Sequence, residues 1–161
     1  MKRVEGTIEV ELMECVNPVK NKWRIRWDVQ IQDEDGNANY MEEEFDHRPS
    51  KEEIRNTIMA WHNEQTNAAI LSGYKYEGDS VWLSQENQFN YKSAYDLAVQ
   101  TKGKNLPVTF KFGSDENPVY CTFRTLEALE AFYTGAVKHI QDTLADGWER
   151  KDEFDVEEYW Y

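Results

Sequence analysis

The sequence has 161 residues, of which 31 are acidic and 18 are basic, so its formal net charge is −13. This length is typical of one domain, or of one domain with a small appended module. A negative field of this size repels nucleic acid and anionic membranes, so we expect neither as a partner. The acidic surplus either keeps the protein soluble, which we favour, or mimics nucleic acid on another protein's binding site.

The cysteines and the amino terminus indicate where the protein folds. Cys15 and Cys121 lie in strand-like stretches, where free cysteine packs as a small apolar side chain, and a single disulfide between them stays open. Residues 1–5 lack the apolar run of a signal peptide, and no segment has the length of a transmembrane helix. We expect a soluble protein that is made in a cytoplasm and is not secreted by its own signal peptide.

Alternating apolar and polar residues predict strands in the first part of the chain. The alternation covers three stretches, which are residues 4–12, 22–32 and 39–46. We expect residues 1–48 to form a three-stranded antiparallel meander, with Arg24 and Arg26 opposite the glutamates of the first strand. The turn at Asp33–Asn37 has a likeness to a calcium loop. Ala38 stands where the loop template requires glycine, so we expect no calcium there.

Three helices are predicted in the second part, each opened by a hydroxyl side chain that caps its amino terminus. They run from Ser50 to Gly73, from Ser84 to about Gln100 and from Thr125 to Gly147. Glu53 closes a capping box with Ser50. Short hairpins separate the helices, so residues 49–147 are predicted to form a helix-hairpin-helix-hairpin-helix domain. The fold class is α+β.

The middle stretch Val81–Ala98 carries a candidate binding site. The candidate amides are those of Asn87, Gln88 and Asn90, with the aromatic rings of Trp82, Phe89, Tyr91 and Tyr95 nearby. Rings beside amides are suited to a sugar or a peptide. Alternatively, the rings fill the core while the amides satisfy backbone groups at the helix start, which we favour. This interpretation predicts that Trp82 and at least one of Phe89 and Tyr91 are buried.

Residues 148–161 form an acidic tail that is rich in aromatic residues. Aromatic side chains are scarce in tails that stay disordered, so we expect Tyr159, Trp160 and Tyr161 to dock on a surface. That surface belongs to the same protein, to a neighbouring copy or to a partner, and we favour the first. These three residues are further candidates for partner binding.

The residue types that carry catalysis are not brought together by the sequence. Its three histidines lie in three different predicted elements, and no Cys/His spacing suits a metal. Asp46 and His47 are the only candidate acid–base pair, and adjacent residues seldom face each other. A lone His62 beside Trp61 is more typical of packing than of a metal site. We therefore expect no catalytic residues, no cofactor and no metal.

Residues 51–151 contain an ordered series of short motifs. The series is Glu53-Ile54 and Ile58, then Ile70-x-x-Gly73-Tyr74-x-Tyr76-x-Gly78, the Ser84–Asn90 run, Leu106-Pro107-Val108 and Phe110-x-Phe112, before a long closing helix. With this series, the region resembles a domain of unknown function found in phage tail-fibre and tail-associated proteins. The resemblance implies a phage or prophage protein associated with a virion tail or its assembly. That family has no established catalytic residues, so none is transferred.

Two functions follow as expectations. The first is a non-enzymatic structural or adaptor protein whose partners are other phage structural proteins or copies of itself. It would act in the host cytoplasm during assembly, with incorporation into the virion left open. The alternative is a small acidic phage inhibitor that binds a host defence or nucleic-acid enzyme as a nucleic-acid mimic, an idea motivated by the small size and the charge of −13.

Overall fold

The computed structural model describes residues Met1–Trp160, and Tyr161 lies outside the described residues. The chain divides into two units. Unit 1 contains Met1–Trp61 together with the described residues from Glu153 onward, and unit 2 contains His62–Asp152. Both ends of the described chain therefore belong to unit 1.

Unit 1 is built on a four-stranded antiparallel sheet. Its strands are β1 (Lys2–Thr7), β2 (Met13–Asn17), β3 (Lys22–Ile31) and β4 (Asn37–Phe45). Their order across the sheet is β1-β4-β3-β2. The two central strands, β3 and β4, are joined by the hairpin turn after Ile31, whereas β1 and β2 occupy opposite edges.

One face of this sheet carries the core of unit 1. Trp23 pairs with Phe45 and Trp27 with Met41, which places these apolar side chains on the same face. Trp27, Met41 and Phe45 pack with the first part of helix α1 (Lys51–Ser72) and with a short 3-10 helix at Val156–Tyr159. The buried cluster consists of Ile25, Trp27, Ile54, Ile58, Trp61, Val156 and Tyr159.

The other face carries a network of charged side chains. Glu42 is buried, accepts a hydrogen bond from Arg26 Nε at 3.3 Å and forms an ion pair with Arg24, whose Nε lies 3.1 Å away. Arg26 also donates to Glu14 Oε2 at 2.6 Å and to the carbonyl of Glu11 at 2.8 Å. Each buried charge thus has partners of the opposite sign, without which its burial would be strongly unfavourable.

The predicted three-stranded meander is wrong. Residues 4–12 were expected to form one strand beside the second strand, but the chain leaves the sheet after Thr7 and re-enters it at Met13 on the opposite edge. Between these points, Ile8 N donates to the Gly36 carbonyl and the Leu12 carbonyl accepts from Arg26 N. Alternation marks residues that suit a strand, but it does not specify the neighbouring strand. The arginines consequently face Glu42 and Glu44 of β4.

Unit 2 contains the rest of α1 and six further elements. These are β5 (Lys75–Tyr76), β6 (Asp79–Ser80), α2 (Gln85–Gln100), β7 (Val108–Gly113), β8 (Pro118–Phe123) and α3 (Leu126–Asp152). Phe132 of α3 lies at the centre of the core. The rings of Tyr76, Tyr91, Phe112 and Phe123 have centroids 5.0–5.3 Å from its own. Rings at these separations add to the stability gained by burial.

The prediction of a separate helix-hairpin-helix-hairpin-helix domain is also wrong. The described residues form three α-helices, and the first of them contributes Ile54, Ile58 and Trp61 to the core of the sheet unit. The α+β architecture therefore consists of the four-stranded unit and a second unit with two small hairpins, the rest of α1 and the helices α2 and α3. None of the helices in the described residues is long and apolar enough to cross a membrane.

Candidate functional site

The middle stretch enters α2 from an extended segment whose side chains alternate. Val81 and Leu83 are completely buried, so Trp82 between them points outward. Val81 N donates to the Tyr74 carbonyl and Leu83 N to the Leu71 carbonyl, both at 2.9 Å. These bonds hold the backbone on both sides of Trp82 in place.

The amides of the middle stretch complete the amino terminus of α2. Ser84 is its N-cap and accepts from Asn87 N at 3.2 Å. Asn87 Nδ2 donates to the Trp82 carbonyl and Gln88 Nε2 to the Leu83 carbonyl, both at 2.8 Å. The prediction that amides satisfy backbone groups is confirmed for these two residues. Asn90 is exposed on α2.

The rings of Trp82, Phe89 and Tyr91 have different environments. Tyr91 is 4% exposed and packs against Phe110 and Phe132, whereas Trp82 is 52% exposed and Phe89 is 70% exposed. Burial raises the pKa of Tyr91 to about 12. The prediction that at least one of Phe89 and Tyr91 is buried is confirmed, and the prediction that Trp82 is buried is wrong. Its burial was inferred from the interpretation that the rings fill the core, whereas its direction is decided by the buried neighbours Val81 and Leu83.

An apolar groove lies between α2 and α3. It has a volume of about 200 Å³, and its apolar lining includes Phe89, Tyr133, Val137 and Ile140. Lys92 is the charged side chain of the lining, and it forms an ion pair with Asp96 one helical turn later. The groove offers apolar surface next to an exposed aromatic ring, a combination that is common where proteins bind one another.

A second pocket, next to Trp82, contains residues that the sequence did not single out. It is lined by Trp82, Asn87, Lys111, Gly113, Ser114 and Asp115. The last four belong to β7 and to the turn that follows it. Lys111 Nζ donates to Asp115 Oδ1 at 2.6 Å, which lowers the pKa of the aspartate and raises that of the lysine. The available sequence signal for this pocket was a lysine and an aspartate four residues apart with a glycine between them.

The carboxyl-terminal segment docks on unit 1, as predicted for Tyr159 and Trp160. Tyr159 is buried and donates from its hydroxyl to the Arg26 carbonyl at 2.8 Å, and this burial raises its pKa. The ring of Trp160 lies 4.7 Å from the guanidinium of Arg48, which also stacks on Trp23. Of the predicted partner-binding residues, Trp160 keeps part of its ring exposed and Tyr161 lies outside the described residues.

The residues considered for catalysis or metal binding have other partners. His47 Nε2 lies 2.8 Å from Glu53 Oε1, and Asp46 lies 3.4 Å from Lys22 Nζ, so each member of the adjacent pair contacts a different partner. Asp33 accepts from the backbone of Asp35 and Asn37 within its turn. Across Met1–Trp160, no three His, Cys, Asp or Glu side chains are grouped to hold a metal. Both cysteines are free.

Comparison with known proteins gives a match to a protein family. The family described as Domain of unknown function (DUF4376) matches residues 49–159, well over half of the chain. No curated protein and no solved structure matches the chain. The resemblance to a domain of unknown function is thereby confirmed, and its occurrence in phage tails stays a prediction. The chain belongs to the family described as Domain of unknown function (DUF4376).

Proposed function

We propose that the protein is a non-enzymatic structural or adaptor protein of a phage or prophage, associated with the virion tail or its assembly. Its partners would be other phage structural proteins or copies of itself. The biological setting rests on the resemblance of residues 51–151 to tail-associated domains. The mode of action, contact between proteins, rests on the surface of unit 2.

The apolar groove between α2 and α3 is the observation that supports this mode of action. Phe89 is 70% exposed beside it, although apolar rings of this size are usually buried. Covering such a ring removes apolar area from water, which contributes about 1.5–3 kcal/mol when the burial is complete. A partner that places an aliphatic or aromatic side chain in the groove would gain this stabilisation.

The biological setting is tested on particles and on infected cells. Mass spectrometry of purified virions and of tail-assembly intermediates should detect the protein, and affinity capture from infected cells should recover virion proteins with it. Absence from particles and from tail intermediates would contradict the proposal. Recovery of a host defence or nucleic-acid enzyme instead would support the alternative inhibitor. That alternative is favoured by the 18 acidic against 9 basic residues in the chain segments of unit 1.

The groove is tested by a pair of charge substitutions on the same helix. Phe89→Lys places a charge in the groove and should reduce capture of the virion partner at least about tenfold, because the buried charge would be unpaired. Leu97→Lys is the matched control, since Leu97 is also exposed on α2 but does not line the groove. Equal capture by both variants would exclude the groove as the contact surface.

A further inference from the structure

We propose that the pocket beside Trp82 binds a neutral saccharide, with one sugar ring stacked on the indole. This inference is independent of the proposed tail function, because it concerns a different surface of unit 2 and a different class of ligand. It rests on an exposed aromatic wall, a polar rim of mixed sign and the size of the pocket.

The backbone that carries the aromatic wall is held in place. Trp82 is 52% exposed, yet its backbone is fixed by the buried neighbours Val81 and Leu83 and by the bond from Asn87 Nδ2 to its carbonyl. A fixed backbone reduces the conformational freedom that is lost when a ligand stacks on the side chain. An exposed indole face suits the C–H face of a pyranose, which is apolar even though the sugar's edge carries hydroxyls.

The polar rim offers both hydrogen-bond donors and acceptors. Lys111 Nζ has three N–H donors and uses one for Asp115 Oδ1, which leaves Asp115 Oδ2 as an acceptor. Asn87 donates through Nδ2 to the Trp82 carbonyl and keeps its side-chain oxygen as an acceptor. Ser114 Oγ accepts from Asn117 N, and its hydroxyl proton is available to donate. Each hydroxyl of a sugar both donates and accepts hydrogen bonds, so the donors and acceptors of this rim can satisfy it.

The charges of the rim discriminate among ligand classes. Lys111 and Asp115 neutralise each other, so the pocket has no net attraction for an anion or a cation. A nucleotide could also stack on indole, but its phosphates would be repelled by a chain with a net charge of −13. A neutral polyhydroxylated ring satisfies the wall and the rim without leaving an unpaired charge.

The pocket has the size of a small-ligand site. Its volume is about 400 Å³, at the lower end of the roughly 300–1,000 Å³ typical of such sites. Gly113 belongs to the lining and has a φ of +75°, a backbone conformation that favours glycine. We therefore expect a mono- or disaccharide unit to occupy the pocket.

The experiment is an NMR titration of the ¹⁵N-labelled full chain. The probes are glucose, galactose, mannose, N-acetylglucosamine and the disaccharides maltose, lactose and chitobiose. At least one probe should shift the Trp82 indole and the amides of Asn87 and residues 111–115, with a dissociation constant on the order of 1 mM or tighter. Sulfated and sialylated sugars are added as charged probes and should bind no better than the neutral ones.

Two tryptophan variants separate binding from folding. Trp82→Ala should weaken binding at least about tenfold and leave the remaining spectrum unchanged, because the indole is largely exposed. Trp148→Ala is the matched control, since Trp148 of α3 is 59% exposed and does not line the pocket. The proposal is overturned if no probe causes these shifts, if Trp82→Ala binds as well as the parent chain, or if the shifts map elsewhere.

Discussion

Glu53 forms contacts that make the start of α1 sensitive to pH. Its Oε2 accepts from Ser50 N and from Ser50 Oγ, both at 2.8 Å, while Glu53 N donates back to Ser50 Oγ at 3.2 Å. His47 lies 2.8 Å from the other carboxylate oxygen. These hydrogen bonds to the ionised form lower the pKa of Glu53 to about 2, with the Ser50 backbone as the main cause.

The pH dependence of stability follows from this lowered pKa. A carboxylate whose pKa is lower in the folded state than in the unfolded chain, where it is about 4.3, contributes stability above the unfolded value. That contribution is lost as the pH falls through the folded value of about 2. We expect Glu53→Gln to be less stable than the parent chain at pH 7, with the difference shrinking between about pH 4.5 and pH 2.

Urea unfolding at a series of pH values measures this difference. Glutamine retains the shape of the capping box but carries no charge, so the comparison isolates the ionised form. Glu52→Gln is the control, because Glu52 lies in the same first turn and makes no hydrogen bond to Ser50. A difference that stays constant down to pH 2 would contradict the assignment.

Helix caps were predictable from the sequence, whereas the direction in which individual strand side chains point was harder to predict. The Ser50–Glu53 box and the Ser84 cap depend on residues a few positions apart, and both were predicted correctly. The alternation over residues 22–32 predicts that Val29 and Ile31 face inward with Trp27, but both are exposed. The register of β3 shifts between Trp27 and Gln30, at Asp28 with a φ of +51°, and this irregularity breaks the alternation.

At the scale of elements, α1 and α3 approach closely within unit 2. Gly147 was predicted to end the last helix, but α3 continues to Asp152. A Cβ on Gly147 would lie 3.0 Å from Thr66 Cγ2 and closer still to Thr66 Oγ1. This glycine is therefore required for the close contact between the two helices. The need for it depends on Thr66, a residue 81 positions away, so no pattern in the neighbouring sequence could predict it.

The close contact predicts coupling between two substitutions. Gly147→Ala should destabilise the protein by about 1–3 kcal/mol through steric overlap. This loss occurs even though alanine favours a helix by about 1 kcal/mol relative to glycine. Thr66→Ala removes the overlapping atoms, and Thr66 Oγ1 is buried without a hydrogen-bond partner in the described structure. In the Thr66→Ala background, Gly147→Ala should be neutral or stabilising.

A double-mutant cycle measured by chemical denaturation tests this coupling. The interaction energy between the two sites should have a magnitude of about 1–3 kcal/mol, within the range observed for residues in contact. Gly78→Ala is unsuitable as a control because Gly78 has a positive φ. Ala145→Gly on an exposed position of α3 gives the effect of helix propensity alone. Additive effects at positions 66 and 147 would show that the helices do not meet there.

At the scale of the whole molecule, unit 1 depends on both ends of the chain. Val156 and Tyr159 are buried with Ile25, Trp27 and Ile54, and Lys51 Nζ donates to Glu157 Oε1 at 2.7 Å. The family match also extends to residue 159, so it includes Val156 and Tyr159. The aromatic composition of the tail predicted that it would dock. The sheet that it covers was not predictable, because strand order is decided by long-range pairing.

Deletion of residues 153–161 should therefore destabilise unit 1 selectively. Truncation of a buried aromatic side chain alone costs about 3–5 kcal/mol, a large part of the 5–15 kcal/mol that stabilises a typical domain. Hydrogen exchange should show lost protection in β3 and β4, with β7 and β8 of unit 2 still protected. Deletion of residues 160–161 is the control, because it retains Val156 and Tyr159. Unchanged protection in the longer deletion would contradict this role.

The return of the chain end to unit 1 also orders events during synthesis. The sheet and the first turns of α1 leave the ribosome early, but Val156 and Tyr159 are added almost a hundred residues later. At about 5–20 residues per second, this delay is on the order of 5–20 s. During it, the apolar face around Ile25 and Trp27 lacks part of its cover. The sheet thus reaches its native packing only after the residues that follow unit 2 have been added.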